Sequence, residues 1–142
     1  MIAKIKTGTS LKGAVNYNEK KVKEGKAACI HGHGYPKDHS HMNFHEKLNR
    51  LQKLAGLNAR TKTNCLHVSL NFHPKENLSQ EKLVEVATAY MQGIGFAGQP
   101  YLVYEHRDAA HQHVHIVTTN IQKNGKRISM HNLGRVQSEK SR

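Results

Sequence analysis

Two β-prone runs, Tyr101 to His106 and His113 to Asn120, are separated by only the six residues Arg107 to Gln112. So short a connection returns the chain antiparallel, because a parallel crossover takes a dozen residues or more. The same stretch packs four histidines, at 106, 111, 113 and 115, into ten positions. Side chains alternate along a strand, so His113 and His115 share one face while Val114 turns to the other. In the hairpin His106 comes beside His113, with Cβ atoms roughly 5 Å apart across the ladder. Three imidazoles then converge with coordination positions left open, the arrangement of a catalytic metal rather than a closed structural one. Histidine tags and adventitious surface clusters are the competing source of such stretches. Tags are consecutive and terminal, whereas these histidines alternate with apolar residues.

The rest of the chain reads as a mixed order of strands and helices. Ile2 to Thr7 alternates apolar and basic residues as a first strand, and Ser10 caps a helix to Val22 with Leu11, Ala14 and Val15 inward. Ala27 to His31 is a short strand, Gly32 to Asp38 a loop, and Ser40 to Leu54 a second helix with Phe44, Leu48, Leu51 and Ala55 at helical spacing. Cys65 to Phe72 alternates most cleanly, with Leu66, Val68, Leu70 and Phe72 on an oily face and His67, Ser69 and Asn71 on a polar one. Ser79 caps a third helix that buries Leu83, Val86, Ala87, Tyr90, Met91 and Ile94. After the histidine hairpin, the turn Lys123 to Lys126 leads into a short strand, Arg127 to Ser129. Hairpins with few crossovers predict an α+β fold, an antiparallel sheet with helices packed on its oily face. The other face, bearing His67, Ser69, His106, His113 and His115, is expected to stay open for a ligand.

Composition narrows the partner. The chain has 142 residues and is 37% hydrophobic, enough for one globular domain. Lysine and arginine number 22 against 10 acidic residues, a net charge of +12 that suits a polyanion, with nucleic acid the leading candidate. No apolar run approaches a membrane span, and Lys4 and Lys6 interrupt any signal-peptide core. Cys29 and Cys65, two widely separated cysteines in strand-like surroundings, read as buried thiols in a reducing cytoplasm. Met130 to Arg142 is basic and ends without a stop signal, so residues 1–130 are expected to form the catalytic domain and 131–142 a tail or the start of a truncated C-terminal region.

Near the N-terminus lies a tyrosine in Val15-Asn16-Tyr17-Asn18-Glu19-Lys20-Lys21. Tyr17 falls with Ser10 and Gly13 on its helix rather than with the apolar stripe, so it should face outward. Tyr90, Tyr101 and Tyr104 read as core, and Tyr35, in Gly-Tyr-Pro, is the alternative reactive phenol or a base-stacking platform. Of the other histidines, only the pair His31 and His33 stands out.

Together, His106, six intervening residues, His113-Val114-His115 and the upstream Tyr17 resemble the plasmid mobilisation relaxases of the histidine-hydrophobe-histidine endonuclease superfamily. The resemblance covers Ile2 to about Ser129 and implies a fold, an antiparallel sheet carrying helices, together with an activity. That activity is strand-specific nicking and transfer of single-stranded DNA at a transfer origin, through a covalent 5′-phosphotyrosine. It implies His106, His113 and His115 as ligands of a divalent metal, with manganese, magnesium and zinc all open, and Tyr17 as nucleophile. Asp108 and His111 match polar positions in the histidine motif that orient a ligand or touch DNA. Asn120 follows the strand as an amide of the same kind, and His67 stands where some relatives carry a carboxylate. Lys20 and Lys21 are close enough in sequence to assist the phenol, whose free pKa of about 10 leaves it protonated at neutral pH. Accessory mobilisation and coupling proteins are the implied protein partners.

Two other functions compete. A zinc hydrolase with three histidine ligands and a metal-bound hydroxide would need no Tyr17 and leave no covalent product. A basic nucleic-acid-binding module with a structural metal would bind single strands and never cut them.

Overall fold

The computed structural model describes residues 1–107 and 111–129. Five strands form one sheet: β1 (Ile2–Gly8), β2 (Ala27–His33), β3 (Cys65–Asn71), β4 (Tyr101–His106) and β5 (His113–Thr119). Their spatial order is β1-β3-β5-β4-β2, and every neighbouring pair is antiparallel. Three helices complete the fold: α1 (Leu11–Lys23), α2 (Phe44–Ala55) and α3 (Gln80–Gly93). The expected α+β class with an antiparallel sheet is therefore what the chain adopts.

The helices do not all lie on one face. α3 covers the oily side, where Leu83, Ala87, Tyr90 and Met91 pack against Leu66, Val68 and Leu70 of β3 and Val114 and Ile116 of β5. α1 and α2 lie on the opposite side, the one that carries the histidines. Leu11, Val15, Leu48 and Leu51 meet Cys65, Leu102, Tyr104 and Val117 there. The cause is visible in the strand sequences. On that face β4 and β5 are apolar at one end, Leu102, Tyr104 and Val117, and imidazole-bearing at the other, His106, His113 and His115. Helices cover the apolar half, and the histidines remain at its border.

Local chemistry sets the element ends. Ser10 Oγ accepts from Gly13 N at the start of α1, and Ser79 caps α3 in the same way. The expected helix from Ser40 is divided: His39–His41 forms a single 3₁₀ turn capped by Asp38, and Asn43 with Glu46 makes a capping box that starts α2 afresh. The expected strand at Arg127 is reduced to one bridge, Ile121 to Arg127, across a turn in which Gly125 takes φ +80°. Both cysteines are free thiols, and burial pushes each up to about 11. No described helix is long and apolar enough to cross a membrane.

Candidate active site

Register builds the centre. The β4–β5 ladder pairs His106 with His113 and Tyr104 with His115, and the β3–β5 ladder sets Ser69 opposite His115 and His67 opposite Val117. One ring nitrogen each from His106, His113 and His115 falls within 4.8 Å of the others. His113 Nδ1 and His115 Nε2 are 3.1 Å apart. Two nitrogens bound to one ion at about 2.1 Å, with angles between square and tetrahedral, lie about 3.0–3.4 Å apart. The donor set and the spacing of the His113–His115 pair therefore fit a divalent metal, with His106 near enough to complete the group.

Two neighbours orient these rings. His67 Nε2 is 3.0 Å from His115 Nδ1. Burial, followed by the charge of Lys6, holds His67 below the usual imidazole pKa. A neutral His67 can accept a hydrogen bond from His115 Nδ1–H, which leaves the lone pair of His115 Nε2 facing His113. Asn18, fully buried on α1, is the residue the sequence did not single out. Its Nδ2 donates to Ala14 O at 2.9 Å, which fixes the amide so that Oδ1 faces His106 Nε2 at 2.7 Å. Oδ1 is only an acceptor, so His106 carries its proton on Nε2 and presents Nδ1 as its lone-pair nitrogen. The available signal was the adjacency of Asn18 to Tyr17, together with a polar residue three places after buried Val15.

Tyr17 lies over this cluster. Its ring stands 6.2 Å from that of His106, with planes 19° apart, and 6.4 Å from that of His115. It is 48% exposed. Lys21 Nζ sits 5.8 Å from the Tyr17 ring, and Lys20 is exposed on the same helix. Tyr35 is a different kind of residue. Its hydroxyl donates to Lys47 O beneath α2, and burial raises its pKa. It packs into the α1–α2 core.

The other candidates divide. His111 stands 5.7 Å from His113, ring to ring, at the margin of the cluster. Asp108 and the 131–142 tail lie outside the described residues. Asn120 is buried beyond the far end of β5 and donates to Thr63 O, seven residues and about 23 Å of strand from His113. It is therefore not part of the histidine site.

An open polar centre of three imidazoles beneath an exposed phenol suits metal-assisted chemistry on an anionic ester. A family model described as the nuclease domain of MobA/VirD2-like relaxases matches residues 17–142. The chain belongs to the MobA/VirD2-like relaxase family. Among curated proteins no match was found. As a relaxase nuclease domain it binds and nicks DNA in mobilisation, and the domains of this family depend on a metal. The relaxase's basic surface extends beyond the histidines. Two adjoining clefts of about 500 and 490 Å³ lie at the opposite end of the sheet and hold Lys12, Arg60, Lys62 and Arg127.

Proposed function

We propose that residues 1–130 form a catalytic unit that cuts one DNA strand at a specific transfer origin by transesterification, with Tyr17 as nucleophile. The single observation that carries this reading is the seating of the exposed Tyr17 ring over His106 and His115. The Tyr17 oxygen forms a bond to phosphorus as the P–O3′ bond breaks, and the net proton moves from the phenol to the departing 3′ oxygen. The products are a 5′-phosphotyrosine and a free 3′ hydroxyl. Bond energy is kept, so rejoining needs no ATP. A divalent cation held by His106, His113 and His115, whether manganese, magnesium or zinc, would neutralise charge that gathers on the non-bridging oxygens. Lys21, whose Nζ stands 5.8 Å from the Tyr17 ring, adds positive charge where the anionic ester must sit, and His67 holds His115 in the tautomer a ligand needs. Lys20, exposed on α1, and His111, beside His113, are assigned to contacts with the DNA.

The test is an origin-bearing single strand incubated with protein and metal. A protein–DNA adduct that survives denaturation, with the 5′ phosphate on the protein, is expected. Tyr17→Phe should abolish it while leaving DNA affinity within about twofold, since one exposed oxygen is removed. Cleavage without adduct in the wild type, undiminished in Tyr17→Phe, would assign the site to a metal hydrolase instead.

A further inference from the structure

The strand order lays the site out as a line. Moving from β4 through β5 and β3 to β1, the same face presents His106, then His113 and His115, then His67 with Ser69 and Asn71, then Lys6 and Lys4. With strands about 4.8 Å apart, that line is about 14 Å long. Tyr17 occupies one flank, over His106 and His115. On the other flank a cleft of about 280 Å³ opens from the histidines, lined by Ser69 and Asn71 and by Lys4, Lys6 and His67. His113 and His115 form its inner wall.

The lining suits a phosphate. It contains two ammonium groups and no carboxylate. Lys6 pairs across the ladder with His67 and Lys4 with Ser69, so both lysines stand beside the site at an interval of about 6.7 Å along β1. Both are exposed, and no carboxylate pairs with either among the described residues. Asn71 Nδ2 donates to Ser69 Oγ at 3.0 Å, which directs the Ser69 hydroxyl hydrogen elsewhere, toward whatever fills the cleft. The volume lies just under the range of about 300–1,000 Å³ typical of small-molecule sites, which is the scale of one nucleotide and too small for a duplex.

Displacement at phosphorus is in line, with the leaving oxygen opposite the attacking one. With the phenol on one flank of the histidines, the leaving 3′ oxygen and its nucleotide belong on the other. We propose that this cleft is the subsite for the nucleotide on the 5′ side of the nick, the one released with the 3′ hydroxyl, with Lys4 and Lys6 holding its backbone phosphates and Ser69 contacting its sugar. This assignment rests on Tyr17 being the nucleophile. In the reverse direction the same pocket seats the acceptor: its 3′ oxygen loses a proton, attacks the phosphotyrosine and returns the phenol. Lys4 and Lys6 thus act in both cutting and rejoining.

The experiment uses the whole chain with two probes, dodecathymidylate for affinity and tetrathymidylate with a free 3′ hydroxyl for location. Tetrathymidylate should shift the amide resonances of Lys4, Lys6, Ser69 and Asn71. Replacing Lys4→Gln and Lys6→Gln together should weaken dodecathymidylate binding on the order of tenfold and make its salt dependence shallower by about 1.4, or about 0.7 for each phosphate that is no longer neutralised. Lys82→Gln, on α3 across the sheet, should leave that slope unchanged. With an adduct in hand, the acceptor KM for rejoining should rise in the Lys4/Lys6 variant. Shifts confined to the Lys12–Lys62 end of the sheet, or a salt slope equal to wild type, would overturn the subsite. A missing adduct with the lysine effects intact would instead remove Tyr17 as nucleophile and leave the phosphate site standing.

Discussion

Asn18 does its work through two atoms of one amide. Nδ2 is held by the Ala14 carbonyl, and Oδ1 therefore accepts from His106 Nε2. Groups behind a metal ligand typically change metal affinity 10–100-fold when removed. Asn18→Ala is expected to weaken Mn²⁺ and Zn²⁺ binding within that range, measured by calorimetry. Asn18→Asp, which keeps an acceptor, should recover most of the loss. Nitrogen NMR of the metal-free protein should find the His106 proton on Nε2 in the wild type and a mixture of tautomers in Asn18→Ala. Unchanged metal affinity in Asn18→Ala would reduce the residue to a packing role in α1. Among the tyrosines the contrast is burial: it pushes Tyr90 and Tyr101 up to about 12, and Tyr104 further with the help of Glu19. Tyr17 alone stands exposed beside the imidazoles.

At the scale of elements, α1 carries three consecutive residues with three destinations. Tyr17 goes to the cluster, Asn18 to His106, and Glu19 into the interior. Glu19 Oε2 accepts from Tyr104 OH at 2.6 Å and from Lys47 Nζ at 2.8 Å, tying α1 to β4 and α2. The Lys47 side chain is 7% exposed and that of Glu19 16%. Breaking such a buried pair on one side strands the other charge and costs about 3–5 kcal/mol. Glu19→Ala should therefore lower the stability by an amount near the bottom of that range, read from urea midpoints at constant m. Glu19→Leu combined with Lys47→Met should restore most of it, because no buried charge is left alone. A single-variant loss below about 1 kcal/mol would show that the pair does not anchor the helix.

The whole molecule is governed by charge. At neutral pH it carries +12, and protonating its twelve histidines would double that figure. Repulsion of that size opposes the compact state. His31 adds a specific effect. Burial, and the nearby His33 and His39, hold its pKa below the ordinary 6.5, only partly opposed by Asp38. The unfolded chain therefore binds more protons than the folded one just below pH 6.5, so stability falls as pH drops through 6.5 toward the folded value. Thermal midpoints of the metal-free protein should decline from pH 7 to pH 5.5, and His31→Phe should flatten part of that decline. A midpoint that is flat or rises on acidification would contradict both effects.

Much of the molecule was legible in the chain because the relevant physics is local or periodic. The alternation in β3, the caps Ser10 and Ser79, and the six-residue return that sets His106 against His113 follow from side-chain parity and turn length. So did the outward position of Tyr17 on its helix. The placement of α1 and α2 on the histidine side was not legible. It follows from how apolar ends of β4 and β5 line up across the sheet, and the order β1-β3-β5-β4-β2 exists only once the strands pair. The same pairing brings His67 diagonally within reach of His115 and sets Lys6 beside His67, and it carries Asn120 away from the histidines. Residues 18 and 106 share one hydrogen bond across 88 positions of chain. Residue identity and spacing determined which groups could do the chemistry, because a strand or helix repeats on a scale the sequence displays. Tertiary structure decided which of them meet, because that depends on the register of segments far apart in the chain.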